Sequence, residues 1–140
     1  MTFSIRSLAI QLTGVMAVRN ASGEAQYDAD GKPVTITLHS PASKAYQRAK
    51  HAAEERNNTR AFGRLQGKSE AKQSAEDKVS EQAEFLAACT VSLDGFEVDG
   101  GAGHEAYKAL YADLELGHIA DDAAKFLAER SNFLKLPTKS

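Results

Sequence analysis

"FLAACTVSLDGFE", residues Phe85 to Glu97, holds the chain's only cysteine, Cys89, beside Thr90, Ser92, Asp94 and Glu97. It is either a nucleophile with its helpers or the dense end of a helix, and the residues upstream favour the helix. Ala75, Val79, Ala83, Leu86, Thr90 and Leu93 recur at steps of three and four, the period of one helical face. Charges fill the opposite side as far as Glu84, after which the pattern is apolar all round. The spacing predicts a helix from about Ser69 to Leu93 whose C-terminal third crosses the centre of the domain. Cys89 then sits near the far end of a helix, where the dipole disfavours a thiolate. Free cysteine is also among the most often buried residues. The expectation is a structural thiol, and Thr90 and Ser92 lack the glycine pattern of a nucleophile elbow.

Two β-like pieces precede this helix. "GVMAVRN" (Gly14–Asn20) is short and partly β-branched. "PVTITLHS" (Pro33–Ser40) alternates strictly, Val34, Ile36 and Leu38 against Thr35, Thr37 and His39. The turn-rich segment between them, with Asp30-Gly31, predicts a hairpin with a long loop. Ser40 as cap and Pro41 at the first helical position predict a helix from Pro41 to about Asn57. Gly63 and Gly67 each cost about 1 kcal/mol in a helix interior, so "NTRAFGRLQG" (58–67) reads as a loop or frayed helix. "DGFEVDGGAG" (94–103) reads as a connector with a small hairpin around Phe96 and Val98. Two more helices follow, His104 to about Ala112 and His118 to about Leu134, before Pro137.

The predicted fold is therefore α+β and mostly α, an N-terminal β-hairpin followed by a bundle of about four helices. The 140 residues suit a single domain: hairpin over 1–40, helices over 41–136, a loose tail at 137–140. An apolar share of 42% and a charged share of 26% are ordinary for a globular chain. One cysteine excludes an internal disulfide and suits a reducing cytoplasm. "SLAIQLTGVMAV" after Arg6 is interrupted by Gln11, Thr13 and Gly14, which argues against a secretory signal. No stretch approaches the roughly 20 apolar residues of a membrane span.

The net charge of −2 conceals a segregation. Residues 43–72 carry eight Lys/Arg against Glu54, Glu55 and Glu70, a balance of +5; residues 73–140 carry six against thirteen acidic residues, a balance of −7. Facing helices of opposite charge account for this, as does a basic patch kept for a partner. Arg56, Arg60, Arg64, Lys68 and Lys72 recur every four residues, but each such step drifts about 40° around a helix, so the row winds rather than forming a flat stripe. A sequence pI of about 6.1 argues against a dedicated nucleic-acid binder.

Other chemistry finds little support. The histidines at 39, 51, 104 and 118 show no metal-ligand spacing, and His118 with Asp121 and Asp122 is the best local group. Adjacent carboxylates such as Glu54 and Glu55 point about 100° apart on a helix and do not face one substrate together. "GGAG" (100–103) lacks the lysine of a phosphate loop. No catalytic, cofactor or metal residue is expected, and the chain reads as non-enzymatic.

Three stretches in order carry a resemblance: "PVTITLHSPASKAYQRAKHAAEERN" (33–57), "SEQAEFLAACTVSLDGFE" (80–97) and "YKALYADLELGHIADDAAKFLAERSNFLK" (107–135). Together they resemble the tail assembly chaperones of long-tailed, siphovirus-type bacteriophages and related prophages, over about residues 33–135. The resemblance implies a protein of the bacterial host cytoplasm. Such a protein binds the tape-measure protein and helps recruit tail tube subunits during tail morphogenesis, without a membrane. The family supplies no catalytic or ligand residues. The expected contacts are an apolar ridge around Phe85, Leu86, Phe126 and Phe133 or the open hairpin edge, with Arg56, Arg60 and Arg64 as a charged approach. Several copies coating the tape measure, through self-association, belong to the same expectation. The alternative is a small regulatory protein that binds nucleic acid through Arg56–Lys72.

Overall fold

Thr35, Thr37 and His39 alternate with Ile36 and Leu38, and that alternation becomes the middle strand of a three-stranded antiparallel sheet. The computed structural model describes residues 5–65, 75–96, 98 and 103–134. Strand β1 (Thr13–Ala17) pairs with β2 (Thr35–His39) in the expected hairpin, and β2 pairs with β3 (Thr90–Asp94). The long hairpin loop folds into two small turns. Asn20 Oδ1 accepts the N–H groups of Ser22 and Glu24, and Asp28 Oδ1 those of Asp30 and Lys32. Among the described residues four helices accompany the sheet: α1 (Lys44–Leu65), α2 (Ala75–Ala88), α3 (His104–Ala112) and α4 (Gly117–Ala128). The architecture is α+β and mostly helical, as the sequence predicts.

Period two sorts the sheet into an apolar face and a polar one. Met16, Val18, Val34, Ile36 and Leu38 are buried, and Val15 is exposed on the other side. The buried face meets Ala83, Leu86 and Ala87 of α2, Leu110 and Tyr111 of α3, and Ile119, Ala123 and Leu127 of α4 in one cluster.

The quoted stretch turns out to be a helix–strand junction. α2 stops at Ala88, and Thr90 begins β3, so the predicted continuous helix to Leu93 is incorrect; its predicted start at Ser69 lies outside the described residues. Thr90 Oγ1 donates to the Leu86 carbonyl at 2.8 Å, taking an acceptor at the helix end. The β-branched pair Thr90-Val91 then suits an extended chain better than a further turn of helix. Leu38 opposes Thr90 while Thr37 opposes Ser92, which leaves Val91 as the extra residue of a bulge. The connector hairpin around Phe96 and Val98 lies partly outside the described residues. Both aromatic and aliphatic side chains there pack on the core.

α1 departs from expectation at both ends. Its cap is Ser43 rather than Ser40: Ser43 Oγ accepts from the Tyr46 N–H at 3.1 Å and donates to the Ser40 carbonyl at 2.7 Å. Ser40 instead opens the preceding turn, accepting from Ala42 N–H. The helix also runs on through Gly63 to Leu65, past the predicted stop near Asn57. Strong helix formers on either side outweigh one glycine. At its inner half Ala49 is buried and Tyr46 meets Phe85 edge-on, with ring centroids 5.6 Å apart. Ser43→Ala is expected to cost about 1 kcal/mol, read as a lower urea midpoint with an unchanged slope.

α3 matches its predicted bounds, but α4 ends at Ala128 and not Leu134. Glu129 is extended and its carboxylate accepts from Ser131 N–H, while Asn132 Nδ2 donates to the Phe126 carbonyl at 3.0 Å. Asn132 thus bonds a carbonyl near the helix end, Glu129 caps the following N–H, and Arg130–Phe133 winds into a 3-10 turn. The turn delivers Phe133 beneath β1.

Candidate interaction surface

Cys89 is fully buried, and burial pushes its thiol from 9.0 up to about 12. Beside it lies a closed polar pair: the Thr90 hydroxyl and the Tyr111 phenol are 2.8 Å apart. Burial also pushes Tyr111 up to about 12, against a smaller opposing effect of the Thr90 hydrogen bond. With Thr90 Oγ1 donating to Leu86, the Tyr111 hydroxyl donates to Thr90, and both groups are satisfied. A thiol held neutral in this setting is not a nucleophile at neutral pH.

The histidines are spread apart. His104 Nε2 lies 2.8 Å from Glu84 Oε1, and Lys108 Nζ is 3.2 Å from Glu84 Oε2, which ties α3 to α2. Partial burial would raise the Glu84 carboxyl, but the hydrogen bonds from His104 and Lys108 hold it below its usual range. His51 pairs with Glu55 one turn along α1. No group of three metal-ligating side chains exists among the described residues.

The expected apolar ridge does not form. Leu86 and Phe133 are buried in the core, so neither reaches a partner; Phe85 and Phe126 are half-buried and packed against that core. The helical period finds the apolar positions but does not tell which face of α2 or α4 the sheet covers. Arg56 is half-buried in the seam between α1 and α2, with its Nε buried and unbonded among the described residues. Arg56, Lys78, Glu81 and Phe85 line a hollow of about 330 Å³ there. Arg60 and Arg64 follow on α1, and Lys68 and Lys72 lie outside the described residues. The basic segment thus begins against acidic α2.

A surface the sequence reading named only as a hairpin edge is defined more sharply by β1. The Leu12 carbonyl accepts from Ser40 and the Val18 N–H donates to Val34, so even-numbered residues of β1 bond to β2. Thr13, Val15 and Ala17 consequently turn their N–H and C=O groups away from the sheet. Both ends of this open edge are closed. Gln11 N–H donates to the Phe133 carbonyl at 2.7 Å, and His118 Nε2 donates to the Arg19 carbonyl at 3.1 Å. α4 therefore runs alongside β1, leaving a groove between them. A hollow of about 330 Å³ opens there, floored by Met16 and Phe126 and bordered by Arg19, Asp122, Lys125 and Asn132. The opposite edge is less free, because Tyr107 donates its hydroxyl to the Val91 carbonyl of β3.

Among the described residues no helix is long and apolar enough to cross a membrane. Comparisons with family models, curated protein sequences and solved structures found no match.

Proposed function

We propose that the chain is a non-enzymatic tail assembly chaperone of a long-tailed bacteriophage or prophage. In this reading it holds the tape-measure protein in the host cytoplasm and helps recruit tail tube subunits. The order of the three quoted stretches carries the family assignment. The uncharged open edge of β1 supports a holding role, because Thr13–Ala17 has none of the lysines, prolines or inward charges that normally guard such an edge. A strand edge offers main-chain contacts with little regard to sequence, which suits a long, repetitive client. The buried Leu86 and Phe133 leave this edge, rather than the apolar ridge, as the surface of choice.

The test is co-purification of a tape-measure fragment with the purified chain. Retention at low and moderate salt is expected, with a stoichiometry above one chain per fragment by native mass measurement. No retention at either salt overturns the chaperone reading. Binding of a DNA or RNA duplex that falls steeply with salt would favour the nucleic-acid alternative through the Arg56–Lys72 segment instead.

A further inference from the structure

We infer that the groove between β1 and α4 is a strand-addition site for an extended peptide segment that alternates apolar and acidic residues. The inference uses the same edge as the chaperone reading but not its partner, and a synthetic peptide tests it without any tail protein.

Three observations converge on this groove. The first is the row of outward backbone groups at Thr13, Val15 and Ala17, framed by the Gln11–Phe133 and Arg19–His118 hydrogen bonds. A chain laid between those two ends would continue the ladder as a fourth strand, and the frame limits it to a segment of about seven residues. The second is the gap under that added strand. A strand's side chains alternate between faces, so every other one would point between the sheet and α4, onto Met16 and Phe126. A hollow of about 330 Å³ has room for aliphatic side chains there. The third is charge. Arg19 and Lys125 border the opening against the single carboxylate Asp122, and neither cation has an ion-pair partner among the described residues. An acidic residue in the incoming strand meets that surplus positive charge, and a basic one is repelled.

Main-chain bonds supply affinity in such an arrangement, and the pocket and charges supply selectivity. Val15 and Ala17 are well placed for a test because their N–H groups are not used within the sheet. Proline is tolerated at an edge strand when its missing donor would have faced outward. Ala17→Pro therefore removes one docking bond and obstructs the incoming chain while keeping the β1–β2 pairs.

The experiment titrates the full chain with a blocked heptapeptide of alternating glutamate and valine, against the same peptide with lysine for glutamate. The glutamate peptide is expected to bind and to protect the Val15 and Ala17 amides from hydrogen exchange. Ala17→Pro is expected to weaken it by about tenfold. The exposed charge reversal Lys125→Glu is expected to weaken it by about two- to fivefold and to strengthen the lysine peptide. Lys125→Glu keeps the test open if the proline variant fails to fold, since a surface lysine contributes nothing to the core. No binding at millimolar glutamate peptide overturns the proposal. So does binding without protection of the two amides, or equal binding of both peptides.

Discussion

Phe133→Ala is expected to destabilise the protein by about 3–5 kcal/mol, a large part of the 5–15 kcal/mol typical of a domain. The ring is fully buried and meets Phe126 edge-on at 5.3 Å. Its other side lies against Gly14, where an added Cβ would come within 2.7 Å of two ring carbons and 3.1 Å of the Asn132 carbonyl oxygen. Glycine is needed at this strand position for space and not for an unusual backbone angle. Gly14→Ala alone is expected to cost about 2–3 kcal/mol, because the turn that carries Phe133 must move away from β1. The two changes should not add. Once the ring is gone, the alanine methyl enters the space it leaves, and the double variant should be more stable than the sum of the single losses implies by about 1–2 kcal/mol. Urea unfolding of the four proteins measures this coupling. Strict additivity would mean that Phe133 does not rest on Gly14. The cycle also bears on the groove, since moving the turn breaks the Gln11–Phe133 bond that closes one end of the open edge.

How the sequence and structure agree, and where they part, follows from the range of each interaction. The hairpin was legible because Thr35–His39 alternates over five residues and only one face could be apolar. α3 was legible from Tyr107, Leu110 and Tyr111 and the glycine-rich segment before it. The helix-to-strand change at Cys89 was not. Thr90 and Leu93 are three apart, which is helical spacing, and a regular strand would send them to opposite faces. The bulge at Val91 adds the one residue that turns both toward the core, so a bulged strand reproduces the period of a helix. Only the pairing with β2 separates the two readings, and β2 lies some fifty residues upstream.

The same limit hid the groove. Arg19 and His118 stand 99 residues apart in sequence, and nothing local says that α4 lies along β1. Phe126 is legible as an apolar position, but its place on the groove floor depends on the sheet beside it. Arg19, Asp122 and Lys125 carried no periodic signal at all. The available clue was negative: five consecutive residues, Thr13–Ala17, without charge or proline. Helix ends failed for a different reason. Gly63 and Ser40 are sound local signals for stopping and starting, but Ser43 competes as the cap three residues on, and its second bond to the Ser40 carbonyl decides between them.

Raising the pH from 7 to 11 is expected to remove about 4 kcal/mol of stability through two groups buried in the folded protein. Cys89 and Tyr111 are both held near 12 by burial, above their ordinary values of 9.0 and 10.0. The unfolded chain gives up these protons near the ordinary values, whereas the folded chain keeps them. Above about pH 9 the folded state therefore binds more protons than the unfolded one, and stability falls with rising pH. Below pH 9 the contribution is complete; it is lost progressively toward pH 12. At pH 11 the thiol accounts for about 3 kcal/mol of the loss and the phenol for about 1. Cys89→Ala isolates the larger part. It should begin about 1 kcal/mol less stable at pH 7, for want of the sulfur's contacts, yet lose less on going to pH 11 and overtake the parent protein there. Chemical denaturation of both proteins across pH 7–11 gives the comparison directly. Parallel curves would mean that solvent reaches the sulfur in the folded state. The thiol would then be open to chemistry, and the structural role assigned to Cys89 would be overturned.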